Sequence, residues 1–483
     1  MKNFFKKNIL IISILLFVGL CLLRINTAPL WRDEAFSALV ATNDWGKIIE
    51  IASKDTQPPL HLFFLHISYL IAGKGEFALR IWSVIGGLFT IIFAYKITSK
   101  ITTNEWARFF IAPLIIFNPV LFNYALEARP YAIFTALYLG VIYFSICYNT
   151  QKKKKDLIII FILSIAGLYI HNLFIVCVVT IFTLLVFLRY KEKKKYLGIK
   201  DFLNSYMDII LLGVVLLIAY LPWLLTFLSQ LKMVSSDGFW LQFDYLNSVQ
   251  QVLAMSYSGE YYYQQTELLF YVLLVTVILG IIGVLIGWGK DILKFKNKIP
   301  IFLIGSLLPL ALSYLLSFKT PVLYIRYMIF LVPFFLISVV KAYQKKIFII
   351  IIFLICSMIV TCSTLIIRPN MKEGYKVAIA QTQYNPQTDL ILHKNALPVF
   401  GFRYYSDLPS YIFYKPEEIR YFEGKAAIEP KDYWQGDLTN IQRIWVMNIW
   451  QDSDFDKKIE ALGFTKVSEQ KFDGDLYLYL YTK

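Results

Sequence analysis

Charge is what this sequence has least of. Only 17% of its 483 residues are charged, no more than are aromatic, whereas 58% are hydrophobic. A soluble domain averages about 25% charged and roughly 45–50% apolar residues. The deficit excludes an ordinary soluble globule and fits a polytopic membrane protein. Cysteine is scarce as well: Cys21, Cys147, Cys177, Cys356 and Cys362 all fall inside apolar runs. No disulfide framework or thiolate metal site is therefore available in the aqueous segments. A Gly-rich phosphate loop, a nucleophile elbow and a zinc-protease helix signature are also missing from the sequence. Their absence sets aside nucleotide-driven and serine- or zinc-hydrolase chemistry.

Acidic residues are outnumbered, 33 to 48, for a formal charge of +15. A surplus of this kind would point to nucleic acid if it formed one basic face. Here the lysines sit in short clusters between apolar runs: Lys152 to Lys155, Lys191 with Lys193 to Lys195, Lys290 with Lys294, Lys296 and Lys298, and Lys341 with Lys345 and Lys346. Cytoplasmic loops beside anionic lipid have this pattern, so the expected partners are membrane lipids and no nucleic acid.

A helix needs about 20 apolar residues to cross the hydrocarbon core. Such stretches lie near 8–23, 79–97, 106–123, 131–148, 156–170, 173–189, 207–227, 268–288, 300–317, 325–341 and 347–367, about eleven in all. If Lys2, Lys6 and Lys7 are cytoplasmic, every lysine cluster falls on the same side. The opposite, outer face then receives the loop 24–78, short turns near 124–130, 171–172 and 318–325, a longer loop at 228–267, and the tail 368–483. The first apolar run could pass for a signal peptide. Without a small-residue cleavage site before Trp31, it reads as an uncleaved first span. The expectation is a multi-pass protein of the cytoplasmic membrane, with its N-terminus cytoplasmic.

Residues 1–367 are expected to form the transmembrane domain, and 368–483 a small extracytoplasmic α/β domain. The tail mixes polar residues with short β-like runs, "TDLILH", "SYIFY", "QRIWVMNIW" and "DLYLYLYT". Between two of them, "SDFDKKIEALGF" reads as a helix ended by Gly463. A lid or a docking surface would be its default role. In the first outer loop, Trp45, Ile48, Ile49 and Ala52 share a helical face, and Asn43 or Asp44 can cap its start. That helix is expected to lie in the interface, apolar face down. It should stop before Asp55, because Pro58 and Pro59 cannot continue it.

The outer loops carry the chemistry. "WRDEAFS" supplies Asp33 and Glu34, and "DTQPPLH" supplies Asp55 and His61. "NYALEARPY" supplies Asn123, Glu127, Arg129 and Tyr131; His171 and Asn172 follow, and "YIRY" adds Tyr324, Arg326 and Tyr327. Carboxylates can serve as a general base, and guanidinium groups grip phosphate bidentately. Adjacent carboxylates disfavour each other's ionisation. Together these tools suit a hydroxyl attacking a carbon bound to a lipid phosphate. Bland alternatives stand beside this reading. Glu34 could be solvated or cap a helix, and Arg80 and Arg326 could be snorkelling anchors. His171 could be a hydrogen-bonded span-end residue, and Trp31, Trp45 and Trp82 belong by default to an aromatic belt. His61 and His66 are five apart and off one helical face, which gives a metal site little support.

"WRDEAFS", "DTQPPLHLFFLHISYLIAGKGEFALRIWSVIGGLFTI" and "LEARPYAIFTAL" resemble the bacterial relatives of dolichyl-phosphate-mannose protein mannosyltransferases, including the lipid A aminoarabinose transferases. The resemblance covers roughly residues 1–190, with a looser echo at "PVLYIRYMIFLVPFF". It implies a membrane glycosyltransferase of fold class C. Such an enzyme moves a sugar from a polyprenyl-phosphate donor to a glycan, lipid or protein acceptor at the outer membrane face, with inversion. It also implies Asp33 as general base with Glu34 as a second acid. Asp55, His61, Glu127 and Tyr131 would shape the pocket, and Arg129, Arg326 and Tyr327 would hold the donor phosphate. A divalent metal is left open; Gln57 stands where relatives often have His, which weakens a metal site there. Two other classes compete. A transporter or flippase would carry mid-span ionisable groups and paired broken helices, whereas here charge gathers at span ends and no internal repeat is visible. A non-catalytic scaffold would have no use for the carboxylates of loop 24–78.

Overall fold

The computed structural model describes residues 2–192, 199–235, 240–260, 267–293 and 300–483. Lys193 to Lys195, Lys294, Lys296 and Lys298, which help set the topology inferred from sequence, lie outside the described residues. The chain divides into two compact units. One comprises Met1–Leu23 and Arg80–Leu365, the other Arg24–Leu79 and Ile366–Lys483.

The first unit is helical. A helix or helix pair occupies each stretch read as a span, and among the described residues seven are long and apolar enough to cross a membrane by length and composition. An eighth is added if the pair Glu105–Ile116 and Pro119–Ala125, bent by 54°, counts as one broken span. Helices Asn8–Arg24 and Leu303–Ser317 are apolar but shorter, and Lys154–Ile170 has 17 residues. The bend has a local cause. Pro119 cannot continue the preceding helix, and Asn118 accepts from the amide of Leu121 at 3.0 Å to start the next one. The freed carbonyl of Phe117 accepts from Thr361 at 2.7 Å, so the break leaves no orphan group at that point.

Tyr131–Gln151 and Ile325–Tyr343 are the most enclosed spans, whereas Leu203–Val234 and Glu267–Leu293 turn most of their surface outward. Close packing of Glu267–Leu293 depends on Gly283. A Cβ there would sit 2.9 Å from the Cα of Val339, so only glycine lets the two backbones approach. Leu303–Leu307 is a π-helical turn, and the phenol of Tyr138 donates to the carbonyl of Gly305 at 2.9 Å.

The second unit is an α/β fold joined by the segment Arg24–Leu79. Its strands are β1 (Asp389–His393), β2 (Tyr411–Ile412), β3 (Arg443–Ile449), β4 (Thr465–Phe472) and β5 (Leu476–Thr482), in the order β2-β1-β3-β5-β4. β1 runs parallel to β2 and β3, with Leu392 opposite Val446; β5 is antiparallel to β3 and β4. One face packs Leu390, Leu392, Val446 and Tyr479 against Phe455 and Ile459 of helix Ser453–Glu460. The other packs Ile391, Trp445 and Leu478 against Tyr375 and Phe402. Strands β1, β2, β3 and β5 occur where the sequence predicts them. β4 was not predicted: "TKVSEQKF" is an edge strand without a buried face, so it lacks the apolar alternation that marks one.

In the segment Arg24–Leu79, Asp44 caps helix Trp45–Lys54 by accepting from the amide of Lys47 at 3.0 Å. The helix ends just before Asp55, as expected. Its buried face is Ile48, Ile51 and Ala52, not the predicted set; Trp45 and Ile49 are exposed.

Candidate active site

Two groups of polar residues stand out, one in each unit. In the α/β unit, helix Arg32–Val40 begins directly after Trp31 and carries Asp33 and Glu34 in its first turn, where carboxylates complement the positive end of the helix. Two successive acids on a helix point about 100° apart, so they divide in environment. Asp33 is half-buried, whereas Glu34 is fully buried, which rules out the solvated alternative for Glu34. Ser37 closes the first turn by donating to the carbonyl of Asp33 at 2.9 Å.

Asp55 is the C-cap of helix Trp45–Lys54 and is half-buried, and His61 lies buried in the first turn of helix Leu60–Ala72. His66 is committed elsewhere. Its Nδ1–H donates to the carbonyl of Ala41 at 2.8 Å, and its ring meets Trp45 at 4.4 Å. Among the described residues no three His, Cys, Asp or Glu side chains gather as a metal site would require.

In the helical unit, the residues of three predicted turns come together. The rings of Tyr131, His171 and Tyr327 lie 5.8–6.2 Å apart pairwise. Tyr124 abuts Tyr131 at 5.1 Å, and the guanidinium of Arg129 lies 5.9 Å from the Tyr131 ring. Asn123 donates to Glu127 at 3.3 Å, and both are buried. Ser83 fixes this turn by donating to the carbonyl of Arg129 at 3.1 Å.

Arg326 is held by aromatics. Its guanidinium lies 5.3 Å from the ring centre of Trp240 and 5.4 Å from that of Tyr324, and Trp240 also approaches Tyr327 at 6.5 Å. Nε of Arg326 is 4.0 Å from Glu260, whose other oxygen accepts from the phenol of Tyr124 at 2.8 Å. Arg326 is thus a partly enclosed cation with a loosely placed counter-charge, in place of the snorkelling anchor considered from sequence. Arg80 is fully buried and does not snorkel either.

Sequence reasoning missed Glu260, Trp240 and Gln230, the last accepting from Asn172 at 2.8 Å. All three lie in or beside loop 228–267, where no motif or periodicity singles them out. The available signal was weak: Glu260 is one of four acids, and Trp240 the one tryptophan, in a loop expected at the same face as Arg326.

Residues 56–225 match the family model described as dolichyl-phosphate-mannose-protein mannosyltransferase. The structure is similar to that of ArnT from Cupriavidus metallidurans bound to undecaprenyl phosphate (TM-score 0.58, 13% identity, 96% of this chain and 97% of that one). It is also similar to the archaeal oligosaccharyltransferase AglB from Archaeoglobus fulgidus, in complex with an inhibitory peptide and a dolichol-phosphate (TM-score 0.53, 12% identity, 92% of this chain and 69% of that one). At these identities the likeness is one of fold: a multi-pass helical membrane protein of the class C glycosyltransferase architecture with a carboxyl-terminal sheet. No curated protein sequence shows a significant match to the chain.

Proposed function

We propose that this membrane protein is a glycosyltransferase that moves a sugar from a polyprenyl-phosphate donor to a hydroxyl-bearing acceptor at the outer face of the cytoplasmic membrane. The observation that carries the reading is the fold shared over nearly the whole chain with ArnT, described bound to undecaprenyl phosphate. The match of residues 56–225 to a family acting on a dolichyl-phosphate sugar supports it. The lysine clusters favour the outer face for the polar loops.

In this mechanism Asp33 takes the proton of the acceptor hydroxyl as that oxygen bonds to the anomeric carbon. The bond from that carbon to the donor phosphate oxygen breaks from the opposite side, so the configuration inverts and polyprenyl phosphate leaves. Arg129 and Arg326, with the phenol of Tyr327, hold the phosphate and offset its charge as it departs. Glu34, Asp55 and His61 are assigned to support Asp33, and Glu127 and Tyr131 to support Arg129. The burial of Glu34 suits a supporting carboxylate, and the half-burial of Asp33 suits the group that meets an incoming hydroxyl.

The test supplies the purified full chain with a panel of polyprenyl-phosphate sugars and follows release of polyprenyl phosphate. Acceptor-dependent release from one of them is expected. Binding of these donors without release on any acceptor class would favour transport over transfer.

A further inference from the structure

The acid-bearing helix is held from the far end of the chain. Glu373, itself buried, accepts from the backbone amide of Arg32 through Oε2 at 3.2 Å and from the Arg32 guanidinium through Oε1 at 3.3 Å. Helix Arg32–Val40 has no side-chain cap of its own, so this carboxylate serves one of its orphan amides. The same guanidinium lies 5.0 Å from the ring centre of Trp450, and Lys372 lies 4.5 Å from that of the preceding Trp31.

Trp450 holds its place at a conformational cost. Its φ is +65°, a region that bulky residues rarely adopt, and its side chain is 52% exposed, so core packing does not explain the strain. One turn secures both contacts. Asp473–Asp475 links β4 to β5; the carbonyl of Asp473 accepts from the amide of Gly374 at 3.0 Å, and that of Asp475 from the amide of Trp450 at 2.9 Å. Gly474, at φ +69°, permits the approach: a Cβ there would lie 2.5 Å from the backbone nitrogen of Glu373.

We propose that Glu373 and Trp450 form a two-point clamp on Arg32 that positions the adjacent Asp33, so that the carboxyl-terminal domain is a working support of the acid-bearing helix. Both are positioning residues, and the inference rests on the assignment of Asp33 as base. The ion pair fixes the helix end axially, and the Trp450 ring limits sideways swing of the Arg32 side chain. Small displacements of a base carry large kinetic penalties. A clamp of this kind therefore affects the chemical step more than donor binding.

The experiment compares the full-length wild type with Glu373→Gln, Trp450→Ala and Trp450→Phe, using two readouts. The first is amide hydrogen exchange over residues 32–37, which needs no substrate. The second is kcat and donor KM for polyprenyl phosphate release from the panel. Glu373→Gln and Trp450→Ala are expected to speed exchange at 32–37 about tenfold. They should lower kcat about tenfold with donor KM within about twofold of wild type, and Trp450→Phe should retain most of kcat. Wild-type exchange and kcat in both Glu373→Gln and Trp450→Ala would overturn the clamp. Faster exchange in the variants, with no release by the wild type from any donor, would leave the clamp standing and reject the catalytic assignment. A rise in donor KM at constant kcat would overturn the positioning of Asp33.

Discussion

Tyr124 donates its phenolic proton to Glu260 at 2.8 Å, and the second oxygen of that carboxylate lies 4.0 Å from Nε of Arg326. The hydrogen bond orients Glu260, while the ion pair sits at the loose limit of contact. A donor phosphate reaching Arg326 would compete with Glu260 for the guanidinium. Glu260→Gln removes the negative charge but keeps the shape. It should lower the thermal midpoint of the ligand-free protein by a few degrees, since a partly buried cation loses a counter-charge worth about 1–3 kcal/mol. Polyprenyl phosphate should then stabilise the variant more than the wild type, which a thermal shift titration measures. Equal shifts in both proteins would remove Glu260 from the account of Arg326.

The proposed phosphate role of Arg326 distinguishes charge from geometry. Arg326→Ala should raise the apparent donor KM by about 10–100-fold, the loss of a charge-assisted contact of about 1.5–3 kcal/mol. Arg326→Lys should recover only part of that. Lysine keeps the charge but cannot lie flat between Trp240 and Tyr324, which flank the guanidinium at 5.3 and 5.4 Å. Steady-state kinetics on the active donor checks both, and an unchanged KM in Arg326→Ala would refute the role.

His393 gives the α/β unit a pH dependence. It is fully buried on β1, its Nδ1–H donates to the carbonyl of Met447 at 3.2 Å, and burial pushes its pKa down from 6.5 to about 3. The folded state thus keeps the imidazole neutral where the unfolded chain would protonate it. Its contribution to stability is fully present above pH 6.5 and is lost progressively as pH falls from there toward about 3. Limited proteolysis of the full chain should show the α/β unit becoming more susceptible across that window. His393→Gln should flatten the trend, and an identical trend in both proteins would assign the sensitivity to other groups.

The membrane-spanning helices were legible because a long apolar run admits few other structures in a bilayer. Four strands were legible for a related reason, the short runs rich in aromatic and branched residues around Leu390, Ile412, Val446 and Leu478. What the sequence hid is non-local or exceptional. Arg32 meets Glu373 across 341 positions, and no local pattern around either one announces the other. Trp450 looks like the end of a strand, and its positive φ is invisible in residue types. Ile51 replaces Ile49 on the buried face of its helix because packing within the α/β unit, rather than apolar spacing alone, selects that face. Of the proposed site, the local motifs around Asp33, Arg129 and Arg326 were readable from loop composition. Glu260 and Trp240 were not, since their importance lies only in what they touch.

The central claim is that Asp33 is the base of a sugar transfer. Its most direct test measures Asp33→Asn twice on the active donor, once for single-turnover transfer and once for donor affinity. The account predicts a fall in transfer of about 10²–10⁴-fold, the usual contribution of a general base, with donor affinity within about twofold of wild type. Transfer within about threefold of the wild-type rate, far short of a general base's contribution, would contradict it.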